Sequence, residues 1–277
     1  MNTAEPVKIG QASEPGEYDD GMQALLQIIW GDGYLSPGGA AEVAHLLEGS
    51  DIAGCAILDV GCGLGAIDVL LVREFHAASV VGIDVDPSLL ASMQTRVERA
   101  GVADRIRALK VTGGPLPFGN ESFDVVFSKD SLVQIPDKAA IFAEVLRVLR
   151  PGGRFIASDW LRGGTGEYST EMMEYFRLEA IAYNMATLAE SAQALRSAGF
   201  DHVEIRDRHA WYLDLARREL EAMEGTLQPE ILRRIGPERA RHFLDNWRQL
   251  VIVLERGELR PGHLKALKPV VTPTDSP

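Results

Sequence analysis

The chain has 277 residues, 46% of them hydrophobic and 25% charged, with a net charge of −12 and a pI near 5.0. That length can bury one good core with an appended cap, and the acidic balance argues against nucleic acid or an anionic membrane as a general partner, because phosphates need basic patches. Two cysteines, Cys55 and Cys62, are too few for a disulfide framework, and no cluster has metal-ligand spacing, so no metal is expected.

Residues 1–17 are polar with scattered Pro and Gly and predict a flexible tail without the basic and apolar regions of a signal peptide. No apolar run reaches the length of a membrane span, so the expected address is the cytoplasm, with no membrane partner. Helical spacing in "DGMQALLQIIWG" and "SPGGAAEVAHLLEGS" predicts two lid helices over 18–50. Strands are expected at 55–60, 79–84, 106–111, 123–128, 153–159 and 202–207, alternating with helical stretches. Such alternation is a doubly wound, Rossmann-like α/β sheet spanning 51–208, with a cap insertion at about 164–195. A helical C-terminal lobe over 209–267 and a flexible tail over 268–277 complete the expected organisation.

The densest signal is "AILDVGCGLGAIDVLLV", residues 56–72. A buried parallel strand ends on Asp59, breaks into Gly61, Gly63 and Gly65, and continues as a helix, the geometry of a nucleotide site. Cys62 reads as a small residue within that loop. About twenty residues on, "SVVGIDVD" is a second buried strand ending in Asp84 and Val85, where an acid reaches ribose hydroxyls. The spacing also satisfies a relaxed dinucleotide fingerprint, so NAD is an alternative. Asp59 decides against it here, because a carboxylate repels a pyrophosphate and suits the ammonium and sulfonium of S-adenosylmethionine.

A further strand ends in Ser128-Lys129-Asp130 at the same edge, and "LRPGG" turns into another strand ending in Asp159-Trp160. With "EYDDGMQALLQIIWGDGYLSPGG", the glycine motif and "FDVVFSKDSLVQIPDKAAIFAEVLRVLRPGGRFIASDW", the chain resembles class I S-adenosylmethionine-dependent methyltransferases. Within them it is most similar to the phosphoethanolamine N-methyltransferases. The resemblance implies that Tyr18 closes over the substrate and that Asp130 contacts the substrate amine. It also implies cofactor contacts from Thr112, Gly113, Ser128 and Lys129. Gln134 stands where the family places a catalytic histidine, Ile181 falls near an arginine that holds the substrate phosphate, and Leu26 replaces a tyrosine. Thr112 replaces the aspartate that reads the adenine amino group, leaving that task to its hydroxyl or to the Gly113 backbone.

A neutral amide is no general base, and isoleucine cannot pair a dianion, so the expected acceptor is an unphosphorylated small amine. Its pocket is expected to use Tyr18, Asp130, Gln134 and Trp160 at the reacting end, with Tyr34, Ser36, Tyr183, His209 and Trp211 as walls; His209 is also a candidate base. For Asp130, a helix N-cap before "SLVQI" is the structural alternative. Phosphoethanolamine methylation proper, O- or S-methylation, an NAD-dependent oxidoreductase and a silent S-adenosylmethionine-binding protein remain alternatives. The sequence leaves monomer or homodimer open.

Overall fold

A computed structural model describes residues 14–270. The tails expected at 1–17 and 268–277 therefore lie almost wholly outside the described residues. Asp19 caps α1 (Asp20–Trp30), its carboxylate accepting from the Met22 N–H at 2.9 Å, and α2 (Gly39–Leu47) follows a left-handed Gly38. The strands are β1 (Ala56–Val60), β2 (Ser79–Asp84), β3 (Ile106–Lys110), β4 (Phe123–Lys129), β5 (Leu149–Asp159), β6 (Asp201–Asp207) and β7 (Gly262–Leu267). Between them run α3 (Ala66–Arg73), α4 (Pro87–Arg99), α5 (Lys138–Val148), α6 (Thr170–Glu179), α7 (Leu188–Ala198), α8 (His209–Glu224) and α9 (Gln228–Glu255).

The sheet order is β3-β2-β1-β4-β5-β7-β6, parallel from β3 to β5, with β7 antiparallel to both its neighbours. The pleat sorts the strand residues into two cores. Ile57, Val80, Val125, Phe127 and Ile156 join the layer built on α2, α3 and α4, while Leu58, Ile83, Val126, Phe155 and Ala157 join the layer built on α5 and α7. The crossover reverses between β1 and β4, so their carboxyl ends open a crevice there, where ligands of doubly wound sheets bind.

Three features differ from the sequence expectation. β7 lies within the stretch read as a helical lobe. "GHLKAL" is short, and Lys265 interrupts its apolar residues, but Lys265 Nζ reaches the edge and donates to the Glu48 carbonyl at 2.6 Å. Second, "LRPGG" is part of β5 rather than a turn before it, and the extra residues form an irregularity opposite Phe123 and Val125. Third, the 164–195 stretch divides: α6 and the segment after it, with Ile181, Tyr183 and Met185, join the outer lobe, while α7 places Leu195 in the sheet's own core.

That lobe has its own apolar cluster, formed by residues of α1, α6, α8 and α9. Lid helix α2 is tied to the sheet through a buried carboxylate. Glu42 accepts from Arg208 at 2.9 and 2.6 Å and faces His263 Nε2 at 2.6 Å; these partners offset the burial of Glu42 and hold its pKa below the usual range. Among the described residues, no helix is long and apolar enough to cross a membrane.

Candidate functional site

The crevice at the carboxyl ends of β1, β2 and β4 is a cavity of about 750 Å³. β1 delivers Val60 into a loop whose first two glycines, Gly61 and Gly63, line it. Gly61 has φ +81, and a Cβ there would meet the Ser131 side chain at 2.3 Å, so no other residue fits. Gly65 does not line the cavity. Its φ is +78 and a Cβ would strike Met93 of α4 at 2.5 Å, so this third glycine serves helix packing rather than ligand contact.

Asp84, at the tip of β2, faces the cavity and organises two loops. Its Oδ2 accepts from the Gly63 N–H and its Oδ1 from the Asp86 N–H, each at 3.0 Å. Burial raises its pKa, and those backbone donors oppose the rise. Val85, Thr112 and Gly113 also line the cavity, as do Tyr34 and Ser36 from the segment between α1 and α2. Cys62 lines it too, but burial pushes its thiol well up, so it stays a neutral small side chain.

Asp59 is a correction. It is 2% exposed and absent from the lining; it lies under the glycine loop beside Asp68. Burial pushes both carboxyls up, Asp68 to about 7, and a side-chain hydrogen bond joins the two. Ser128 is a second correction: fully buried and off the cavity, its hydroxyl donates to the Val60 carbonyl at 2.8 Å, stapling β4 to β1.

The reacting end is built where β4 meets β5. Asp130 has φ +59, a left-handed conformation unusual for a residue with a Cβ, and its N–H donates to the Ser158 carbonyl at 2.8 Å. Its Oδ1 accepts from Ser158 Oγ at 2.8 Å and its Oδ2 from Lys129 Nζ at 2.6 Å. The carboxylate therefore does not cap the following 3₁₀ turn, Leu132–Gln134. That turn is held from β5, where Asp159 Oδ1 accepts from the Val133 N–H at 2.9 Å. Burial, opposed by Lys138 and reinforced by Asp130, raises Asp159 to about 7. Gln134 lines the cavity with its Nε2 buried and without a partner, a donor free for a ligand.

Tyr18 and Trp160 line the same end and pack on the lobe cluster. Burial first, then Glu179 and other acids, pushes the Tyr18 phenol far up, so it stays protonated and can donate. Three expected wall residues do not reach the cavity. Tyr183 is buried in the lobe, its hydroxyl 3.0 Å from that of Tyr175. His209 opens α8 with Nδ1 3.2 Å from the Leu259 carbonyl, and Trp211 stacks under Arg208 at 4.5 Å. His209 and Trp211 lie on α8 and Tyr183 in the segment after α6, and the sequence does not reveal which way these side chains point. Ile181 and Leu26 likewise sit in the lobe core and off the lining.

Sequence reasoning missed Leu35, Asp86 and Ser131 on the lining. Asp86 directly follows the acid and valine already singled out, so its position carried a signal. Leu35 and Ser131 carried none. Of the described residues lining the cavity, Lys129 is the only cation.

Residues 58–157 match the family described as a methyltransferase domain. The methyltransferase GfsG of Streptomyces halstedii is 31% identical over 209 residues, covering 70% of this chain and 75% of its own. The chain belongs to the methyltransferases. Phosphoethanolamine N-methyltransferase 1 of Zea mays is 29% identical over 241 residues, 87% of this methyltransferase but 47% of the maize protein. This chain thus spans about half the length of that curated relative. Among solved structures, phosphoethanolamine N-methyltransferase 2 of Haemonchus contortus, in complex with phosphomonomethylethanolamine and S-adenosylhomocysteine, superposes with a TM-score of 0.81. It is 24% identical, over 88% of this chain and 57% of that one, and shares the fold.

Proposed function

We propose that this methyltransferase takes its methyl group from S-adenosylmethionine and delivers it to the nitrogen of a small amine that carries no phosphate. The observation that carries this reading is the state of the cavity's one lining cation. Lys129 is 2.6 Å from Asp130 with both side chains nearly inaccessible, so no free positive charge is left among the described lining residues for a dianion.

The residues fit the cofactor. Asp84 offers a carboxylate to ribose hydroxyls, Gly61 and Gly63 leave backbone within reach, and Thr112 and Gly113, which line the same cavity, are the proposed readers of the adenine edge. Tyr34 and Ser36 close the same cavity from the lid. Bound there, S-adenosylmethionine supplies an electrophilic methyl on a sulfonium. The chain's own part is positioning and exclusion of water, which dominate when little covalent help is needed. Asp130, fixed by Ser158 and Lys129, orients the acceptor nitrogen, while Tyr18 and Trp160 enclose it and stabilise the cation that forms.

Gln134 is a neutral amide with no basicity and cannot take the proton of an ammonium, so the acceptor must arrive as the free amine. With a panel of unphosphorylated amines, S-adenosylhomocysteine should form together with a singly methylated product. The rise of kcat/KM with pH should follow each amine's own pKa across the panel. An inflection fixed at one pH for every substrate, or no turnover of any amine, would overturn the reading.

The Tyr18 segment is proposed to close over the bound pair. Among its contacts, the Gly16 N–H donates to Asp86 Oδ2 at 2.7 Å, Gln23 Nε2 donates to the Tyr18 carbonyl at 2.6 Å, and Asp19 pairs with Arg239. Hydrogen exchange over residues 14–24 should slow when S-adenosylhomocysteine is added, and slow less in Asp86→Ala. Equal protection with and without the ligand would count against a lid.

A further inference from the structure

The cofactor cavity is walled on one side by the glycine loop after β1 and on the other by the segment 31–36 that joins α1 to α2. Leu64 belongs to the first wall, and Gly33, Tyr34, Leu35 and Ser36 to the second. Irregular backbone of this kind keeps one spacing only where side chains tie it down. Leu35 rests on the glycine loop, since a Cβ on Gly63 would lie 3.4 Å from its Cδ1. Among the described residues, the backbone N–H groups of Gly31, Gly33 and Tyr34 donate within the lid, to the Gln27 carbonyl at 3.1 Å, Gln27 Oε1 at 2.9 Å and the Gly31 carbonyl at 3.1 Å.

Arg96, in the last turn of α4, ties the two walls together from behind. Its Nε donates to the Leu64 carbonyl at 3.0 Å, and its Nη1 and Nη2 donate to the two Asp32 oxygens at 2.7 and 2.9 Å. One planar guanidinium thus holds the glycine loop and the lid at once, a fork that an ammonium lacks. The fit is close: a Cβ on Gly33 would meet Arg96 Cζ at 2.3 Å, so the lid backbone lies directly on the guanidinium. The hydrogen bond from Arg96 holds the Asp32 carboxyl below its usual range. Neither residue lines the cavity. The Arg96 side chain is 21% exposed and that of Asp32 76%, so the bond to Leu64 is the sheltered one and the ion pair faces solvent. On the outer side of the lid, a second hollow of about 400 Å³ is bordered by Arg96, Asp32 and Tyr34. Tyr34 borders both spaces, so the loop that carries it has room to retreat outward.

We propose that Arg96 is a positioning residue of the cofactor site and that its ion pair with Asp32 is the latch that sets how long the cofactor stays bound; this rests on the S-adenosylmethionine reading above. Arg96 touches neither cofactor nor acceptor and acts through Leu64 and the lid. With the pair made, the lid lies against the glycine loop and keeps Tyr34 and Ser36 on the cavity. With the pair parted, the lid withdraws toward the outer hollow and the ligand leaves. The bond to Leu64 anchors the arginine on the glycine loop, so the solvent-facing pair, the half that water and salt weaken, is the half that opens.

The test is the rate at which labelled S-adenosylhomocysteine leaves the protein after dilution into excess unlabelled ligand, at low and at high sodium chloride. Arg96→Met should release it roughly 10-fold faster, the low end of the range for charged hydrogen bonds, and Asp32→Asn about threefold faster, as suits an exposed pair. The double variant should be no faster than Arg96→Met, because both changes remove the same contact. Added salt should speed release from the unaltered protein and leave Asp32→Asn unchanged, a readout that a mere loss of packing would not move; the ligand itself carries no net charge for salt to act on. Asp32 is largely exposed, so Asp32→Asn decides the matter even where Arg96→Met does not fold. A release rate unchanged in Asp32→Asn, or a salt dependence that survives in it, would overturn the proposal and leave the cofactor reading standing. No binding of S-adenosylhomocysteine by the unaltered protein would overturn both.

Discussion

Asp84→Ala is expected to weaken binding of S-adenosylhomocysteine roughly 10- to 150-fold, about 1.5–3 kcal/mol. Two losses combine in that figure. The carboxylate offered to the ribose hydroxyls disappears, and so do the acceptors for the Gly63 and Asp86 N–H groups, each at 3.0 Å, that fix the glycine loop and the start of α4. Asp84→Asn separates them, because it keeps one backbone acceptor and removes the charge; it should fall between the two. Calorimetric titration measures both variants, with the midpoint of thermal unfolding as a check on folding. Affinity unchanged in Asp84→Ala would remove the ribose assignment and with it the reason to read this cavity as a nucleoside site.

The second large effect concerns stability. Burial raises Glu219 from 4.5 to about 7, although Trp30 and Trp247 both donate to it. A carboxyl whose pKa is higher in the folded than in the unfolded chain favours folding in its protonated form. Its contribution is therefore fully present below about pH 4.5 and lost as pH rises through about 7, a change of about 3 kcal/mol. Glu219→Gln cannot titrate. Denaturant unfolding at pH 5 and pH 8 should show the variant losing about 2.5 kcal/mol less than the unaltered protein between the two pH values, since part of the change precedes pH 5. Comparing the pH dependences cancels the fixed cost of a single amide oxygen facing two indole donors. Asp68 and Asp159, also raised to about 7, add the same slope to both proteins. Identical pH dependence would mean that Glu219 is not the buried neutral acid described.

Most of the parallel sheet was legible because its strands are short, β-branched and bounded by glycine or an acid, the pattern of strands covered on both faces. β7 was not, because Lys265 breaks its apolar run and its partners, β5 and β6, are supplied by distant sequence. At the site, legibility followed the strand tips. Gly61, Gly63, Asp84, Lys129 and Asp130 lie at the carboxyl ends of strands, where the topology alone brings them together. Asp59 misled because, one position before Val60, its side chain points into the layer beneath the loop, where Asp68 waits. His209, Trp211 and Tyr183 misled for another reason: periodicity on α8 and in the segment after α6 does not say which neighbour an aromatic faces.

The measurement that tests the central claim most directly is a competition for one methyl donor. Equal concentrations of phosphoethanolamine and ethanolamine are incubated with the protein and S-adenosylmethionine bearing a labelled methyl group, and the two methylated products are counted by mass spectrometry. Lys129 is already paired with Asp130 at 2.6 Å, and a buried dianion without a cation is heavily penalised, so labelled methylethanolamine should dominate. Labelled phosphomethylethanolamine in large excess would contradict the account and make phosphoethanolamine the acceptor.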